Sequence, residues 1–127
     1  MPIQTILIVD DDDADQFICD YTIRKFDPSI KTISAFNGRE ALDILRHSSP
    51  DAIILDINMP IMNGFEFLDC YAKEFDHHVP VMAMLTSSIF DEDRKRSLQY
   101  DFVKAYFEKP LTIEHLENIR DLSLIHI

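Results

Sequence analysis

Glycine is almost missing from this chain: Gly38 and Gly64 are the only two in 127 residues. No Gly-rich turn follows the first apolar run, which argues against the phosphate loop of a flavin or dinucleotide site. Basic residues are scarce too, 12 Lys and Arg against 23 Asp and Glu, and the formal charge is −11. A nucleic-acid backbone needs a basic face and is argued against in turn; the acidic balance suits a soluble chain or one that meets a basic protein. Cysteine is limited to Cys19 and Cys70, far from any CxxC spacing and set in apolar helical patterns. Reduced core thiols, as in a cytosol, are expected. No apolar run approaches the ~20 residues of a bilayer span, and no basic segment leads into an apolar one at the N-terminus. A cytoplasmic protein with neither membrane nor nucleic-acid partner is expected. Repeats, low-complexity tracts and linkers are also absent, so one domain over residues 1–127 is expected, with nothing left for an output domain.

What is present is ordinary globular material, 46% hydrophobic and 28% charged. Five strand-length apolar runs recur: Thr5–Val9, Ile30–Phe36, Ala52–Leu55, Val81–Leu85 and Val103–Phe107. Helical spacing fills the gaps. Ala14, Phe17, Ile18 and Tyr21 share one face of the first helix, broadened by Ile23 and Phe26. The second opens at Asn37 with Glu40 three residues on, a capping-box pattern, and carries Ala41, Leu42 and Leu45. Leu68, Tyr71, Ala72 and Phe75 mark the third. The fourth, Ser88–Tyr100, is thinner, with Ile89, Phe90 and Leu98 as its apolar anchors around a charged "DEDRKR" centre; the fifth follows Pro110 with Leu116 and Ile119. Five alternations of strand and helix predict an open parallel sheet with helices on both faces. The apolar end, "LSLIHI", is expected to pack on the core. His47, His77, His78, His115 and His126 show no metal spacing and no nearby nucleophile, and are expected at the surface. Met59 and Met62 fit loop and core positions, and Gly64 a turn or helix start.

The stretch "LIVDDDDADQF", Leu7 to Phe17, runs an apolar strand end into four consecutive carboxylates, Asp10 to Asp13. Unit charges ~4 Å apart repel by ~1 kcal/mol even in bulk water, and by more beside a low-dielectric core. Either the turn is simply solvated or something positive sits there. Ligands of parallel α/β sheets bind outside the carboxyl ends of the strands, so strand ends carry the information. The first run ends in Asp10 and Asp11, the third in Asp56 ("ILDINMP"), the fourth in Thr86 ("MLTSS") and the fifth in Lys109 ("FEKP"). Asp commonly ends a strand at a turn, but five such groups at one edge form a constellation.

Asp10, Asp11 and Asp56 would repel strongly without a cation. An all-oxygen set suits Mg2+, which takes one or two carboxylates and keeps room for phosphate oxygens. An EF-hand is ruled out, with no Gly at loop position six and no closing Glu; Asp12 and Asp13 suit the positive end of the first helix. A carboxylate beside Mg2+ can act as nucleophile toward a phosphoryl group, giving an aspartyl phosphate. The group in transfer spreads charge over its equatorial oxygens. Mg2+ can neutralise one, Lys109 another as a point charge, and the Thr86 hydroxyl can donate to a third.

In these residues the chain resembles the CheY-like receiver domain of two-component response regulators. The paired acids after "LIV", the "DINMPIMNG" segment, the "LTS" strand end and "KP" occur in the family's order, and the likeness covers essentially the whole chain. The resemblance implies a flavodoxin-like α/β fold with a five-stranded parallel sheet in the order 2-1-3-4-5. It implies Asp56 as the phosphoacceptor from a histidine kinase or phosphotransfer protein. Asp11, Asp56 and the Asn58 main-chain carbonyl would hold Mg2+, with Asp10 helping through water. Lys109 would contact the phosphoryl group, and the Lys109–Pro110 peptide would be cis. Thr86 would move toward a phosphoryl oxygen and Tyr106 turn inward behind it, while the main chain at Ser87 would contact phosphate. Such a domain acts on its own aspartate and has no independent substrate. Its output would pass through protein contacts: a downstream target, a relay partner or a homodimer.

Where the family often has Gly-Ala before its fifth strand, this chain has "YDFVKAYF", and Glu108 beside Lys109 is less usual. The sparse fourth helix suits an element that moves, biased from Asp56 through Thr86 and Tyr106. Two alternatives remain at this level. A haloacid-dehalogenase-like phosphohydrolase also pairs acids two apart, here Asp10 and Asp12, with a Ser/Thr and a Lys, but its later acidic motif is missing from "LTIEHLENIRDLS" and no residues could build a cap. A docking module that never takes phosphate is the other.

Overall fold

β-branched and aliphatic runs that leave no polar face can only be buried on both sides, and the chain does this by parallel pairing. The computed structural model describes residues 2–125. Strands β1 (Thr5–Val9), β2 (Lys31–Ala35), β3 (Ala52–Leu55), β4 (Val81–Thr86) and β5 (Val103–Glu108) alternate with helices α1 (Asp13–Phe26), α2 (Gly38–Leu45), α3 (Gly64–Glu74), α4 (Asp91–Leu98) and α5 (Ile113–Leu124). The sheet is parallel in the order β2-β1-β3-β4-β5. Both the alternation and the order agree with the sequence expectations.

Alternate strand residues feed two apolar layers. Leu7, Val9, Ile53, Leu55, Met82 and Met84 pack with α2 and α3. Ile6, Ile8, Ile54, Ala83 and Leu85 pack with Cys19 and Ile23 of α1 and Leu116 and Ile119 of α5. Pairing of β4 with β5 jumps from Met82–Val103 to Ala83–Ala105, so Lys104 is an extra residue, a bulge at the start of β5. This is how "YDFVKAYF" enters the sheet without glycine. The bulge also resets the alternation, turning Val103 and Tyr106 toward the α2–α3 layer and Ala105 and Phe107 toward the α1–α5 layer.

Two helix faces differ from expectation. On α1, Phe17 is 70% exposed and Tyr21 54%, and Ala14 and Ile18 are exposed with them; the buried stripe is Gln16, Cys19 and Ile23. Gln16 is buried with its Nε2 donating to main-chain carbonyls, while its Oε1 has no hydrogen-bond partner among the described residues. On α4 the expected anchors Ile89, Phe90 and Leu98 are all exposed, and Ser97 is the buried residue of the helix. The helix is held by polar and cation–π contacts instead: the Arg96 guanidinium lies 4.0 Å from the Phe65 ring centre, and the hydroxyl of Tyr100, just beyond α4, donates to Asp69 at 2.5 Å.

Two histidines are also less superficial than expected. His78 packs between Tyr71 and Phe102, and His115 stacks on Phe107 at 4.3 Å. Of the apolar end, Leu122 packs on the α1–α5 layer, Leu124 and Ile125 are exposed, and His126 and Ile127 lie outside the described residues. Among the described residues no helix is long and apolar enough to cross a membrane.

Candidate functional site

The ladder of the sheet runs one residue past the strands and carries the polar groups with it. Asp10 N donates to Ala35 O, Asp56 N to Val9 O and Lys109 N to Thr86 O, at 2.9 to 3.0 Å. Asp10, Asp56, Thr86 and Lys109 therefore stand at one rim, at the carboxyl ends of β1, β3, β4 and β5. Gln16 braces the first of these from α1: its Nε2 lies 3.0 to 3.1 Å from the carbonyl oxygens of Ile8, Asp10 and Ala35. Gly64 makes the other side possible. A Cβ there would overlap the Asp56 carbonyl oxygen and fall 2.9 Å from Ile57 Cα, so α3 could not start this close to the acid with any other residue.

Into this rim Lys109 extends its ammonium. Nζ lies 2.8 Å from Asp10 Oδ2, 2.6 Å from Asp15 Oδ2 and 2.9 Å from Asp56 Oδ2. Asp10 and Asp56 are buried, Asp11 is exposed, and these three offer carboxylate oxygens that all lie within 4.8 Å of one another. Burial pushes the Asp10 carboxyl above its ordinary value, with the Lys109 hydrogen bond as the main opposing effect. Burial would push the Lys109 ammonium down, but its hydrogen bonds to Asp10, Asp15 and Asp56 carry it above the usual lysine range. Asp10, Asp15 and Asp56 share one ammonium and Asp11 adds a further carboxylate beside Asp10 and Asp56, so the acids outnumber the cation. The pocket's donors are all hard oxygens. That set fits a divalent cation such as Mg2+.

The remaining expected residues lie close by without joining the network of charges. Thr86 is fully buried, and its Oγ1 accepts from Ser88 N at 3.2 Å. Ser87 and Asn58 are exposed on their loops. Among the described residues the Tyr106 hydroxyl is buried without a well-formed hydrogen bond, the Ser88 side chain being its polar neighbour, and burial raises its phenol. The Lys109–Pro110 peptide is cis. Asp12 caps α1 by accepting from Asp15 N, and its own N–H donates to Asp10 Oδ1. Asp15 and Gln16 were outside the expected set. The signal for Asp15 is positional, since the third residue of a helix that starts at the pocket rim faces that rim.

A model of the response regulator receiver domain matches residues 6–120. The chain belongs to this family. A two-component response regulator from Cytophaga hutchinsonii superposes on the receiver with a TM-score of 0.88 at 30% identity, covering 98% of each chain. Sensor histidine kinase CheAY of Helicobacter pylori is 31% identical over 123 residues, covering 94% of this receiver and 15% of its own length. Autoinducer 1 sensor kinase/phosphatase LuxN of Vibrio harveyi is 26% identical over 115 residues, covering 91% of this receiver and 13% of its own length. The receiver thus corresponds to a small part of those two kinases.

Proposed function

We propose that Asp56 is the phosphoacceptor, that the donor is the phosphohistidine of a histidine kinase or phosphotransfer protein, and that transfer requires Mg2+. The observation that carries this is the convergence of the Lys109 ammonium, 2.9 Å away, and two further carboxylates on the Asp56 side chain. A carboxylate oxygen of Asp56 attacks phosphorus; the O–P bond forms as the P–N bond breaks, and the electron pair leaves with the imidazole, which takes up a proton. Bound at Asp10, Asp11 and Asp56, with the Asn58 carbonyl, Mg2+ would supply charge neutralisation at a phosphoryl oxygen. Lys109 holds another oxygen, and the Thr86 hydroxyl and the main chain at Ser87 serve the rest.

The signal leaves through Thr86. Its Oγ1 accepts from Ser88 N, and Ser88 Oγ donates to Asp93 Oδ2 at 2.6 Å in the first turn of α4. Drawing Thr86 toward a phosphoryl oxygen gives up that contact at the entrance to a helix with little apolar anchorage, while the Tyr106 hydroxyl, with no well-formed hydrogen bond among the described residues, can take a new acceptor. Output then passes through protein contacts, to a downstream target or a second copy. The test is incubation with phosphoramidate and Mg2+, followed by intact mass and peptide mapping of the reduced adduct. Label on Asp56, lost with EDTA and in D56N, supports the proposal. Label on Asp10 would favour hydrolase-type chemistry, and no label would favour a docking module.

A further inference from the structure

We propose that Asp15 is a positioning residue for Lys109, holding its ammonium on the pocket while cation and phosphoryl group engage the other acids. The inference rests on Asp56 being the phosphoacceptor and concerns how that same site is kept in order.

An ammonium has three N–H bonds; Lys109 donates to Asp15 and Asp56 at 2.6 and 2.9 Å and forms a third ion pair with Asp10 at 2.8 Å. Asp10 and Asp56 belong to the set of three acids whose oxygens converge, and Asp15 does not. A divalent cation therefore competes with Lys109 for two of its three acceptors, and phosphorylation removes the charge of one. Asp15 is the acceptor that neither event consumes. Its carboxylate is mostly buried, with 29% of the side chain exposed. Its backbone is set by the α1 cap, where Asp15 N donates to Asp12 Oδ2. A lysine on a flexible four-carbon stem is thus tethered at its tip by a group fixed in a helix, and Nζ stays within reach of the phosphoryl oxygens.

D15A and D15N both remove the charge, but D15N keeps an acceptor oxygen, so their difference isolates the tether. At saturating Mg2+, D15A should take phosphate from phosphoramidate about tenfold more slowly than wild type, as small misplacements of catalytic groups do. D15N should recover most of that loss. Mg2+ affinity by calorimetry should be equal in the two variants. The side-chain ammonium resonance of Lys109 in the Mg2+-loaded protein should persist in wild type and D15N and vanish in D15A through rapid exchange. Wild-type rates in D15A, equal slowing in both variants, or a persistent resonance in D15A would each overturn the proposal. If wild type takes no phosphate at Asp56, the phosphoacceptor assignment fails, and the resonance still decides whether Asp15 holds Lys109.

Discussion

The ammonium of Lys109 and the carboxylate of Asp56 meet at 2.9 Å across 53 residues of sequence. Their strands β5 and β3 are not neighbours, since β4 runs between them. The pair closes over the end of β4, a strand to which neither residue belongs.

Removing that ammonium strands buried charge. K109M keeps the apolar stem but leaves Asp10 and Asp56 buried with no cation at hand. Loss of one partner from a buried pair costs about 3 kcal/mol, so urea unfolding in EDTA should show a drop of that size. Added Mg2+ should restore part of it. An unchanged midpoint would mean that the acids tolerate one another without help.

Asp11 separates metal binding from folding. It is exposed, and among the described residues no ion pair uses it. D11N should leave the midpoint in EDTA within about 0.5 kcal/mol of wild type, as surface changes do. Wild type should gain about 2.7 kcal/mol when Mg2+ reaches 100 times its dissociation constant, and D11N much less at the same concentration. Equal gains would remove Asp11 from the metal set.

Among the described residues the Tyr106 hydroxyl is buried with no well-formed hydrogen bond, the Ser88 side chain being its polar neighbour. An unsatisfied hydroxyl costs about 1 kcal/mol or more, so Y106F should stabilise the unphosphorylated domain by about that amount while weakening the response to phosphorylation. A loss of stability would show that the hydroxyl already has a partner.

His115 gives the domain a pH slope. Burial holds its imidazole below the ordinary value, against the opposing charge of Glu114. The unfolded chain then binds the proton more readily, so this contribution is present above the free value of ~6.5 and declines as acid is added. H115Q can still offer an acceptor to Thr112 N, the present partner of His115 Nδ1. The difference in Tm between wild type and H115Q should therefore shift in favour of H115Q on going from about pH 7 to about pH 5. A difference independent of pH would assign His115 a packing role alone.

The chain carries its strands openly because doubly covered parallel strands are continuous apolar runs, and a run such as Ala52–Leu55 has no other reading. Helix faces were legible only where the buried stripe is apolar. On α1 it contains Gln16, whose burial depends on carbonyls from β1 and β2 that only the folded chain supplies, so the apolar but exposed Phe17 and Tyr21 gave the wrong face. On α4 cation–π and hydrogen-bond contacts replace apolar anchors, and these pair residues too far apart for any periodicity to reveal.

By itself, the sequence determined the five alternations, the acids after β1 and β3, and the threonine and lysine at the later strand ends, because these depend on residue type at positions set by local periodicity. Tertiary structure alone decided that Lys109 is shared with Asp15, that Gly64 must yield space to Asp56, and that a bulge at Lys104 turns Tyr106 toward the α2–α3 layer. Each of these is a distance between segments, and such distances exist only once sheet register and helix docking have been chosen together.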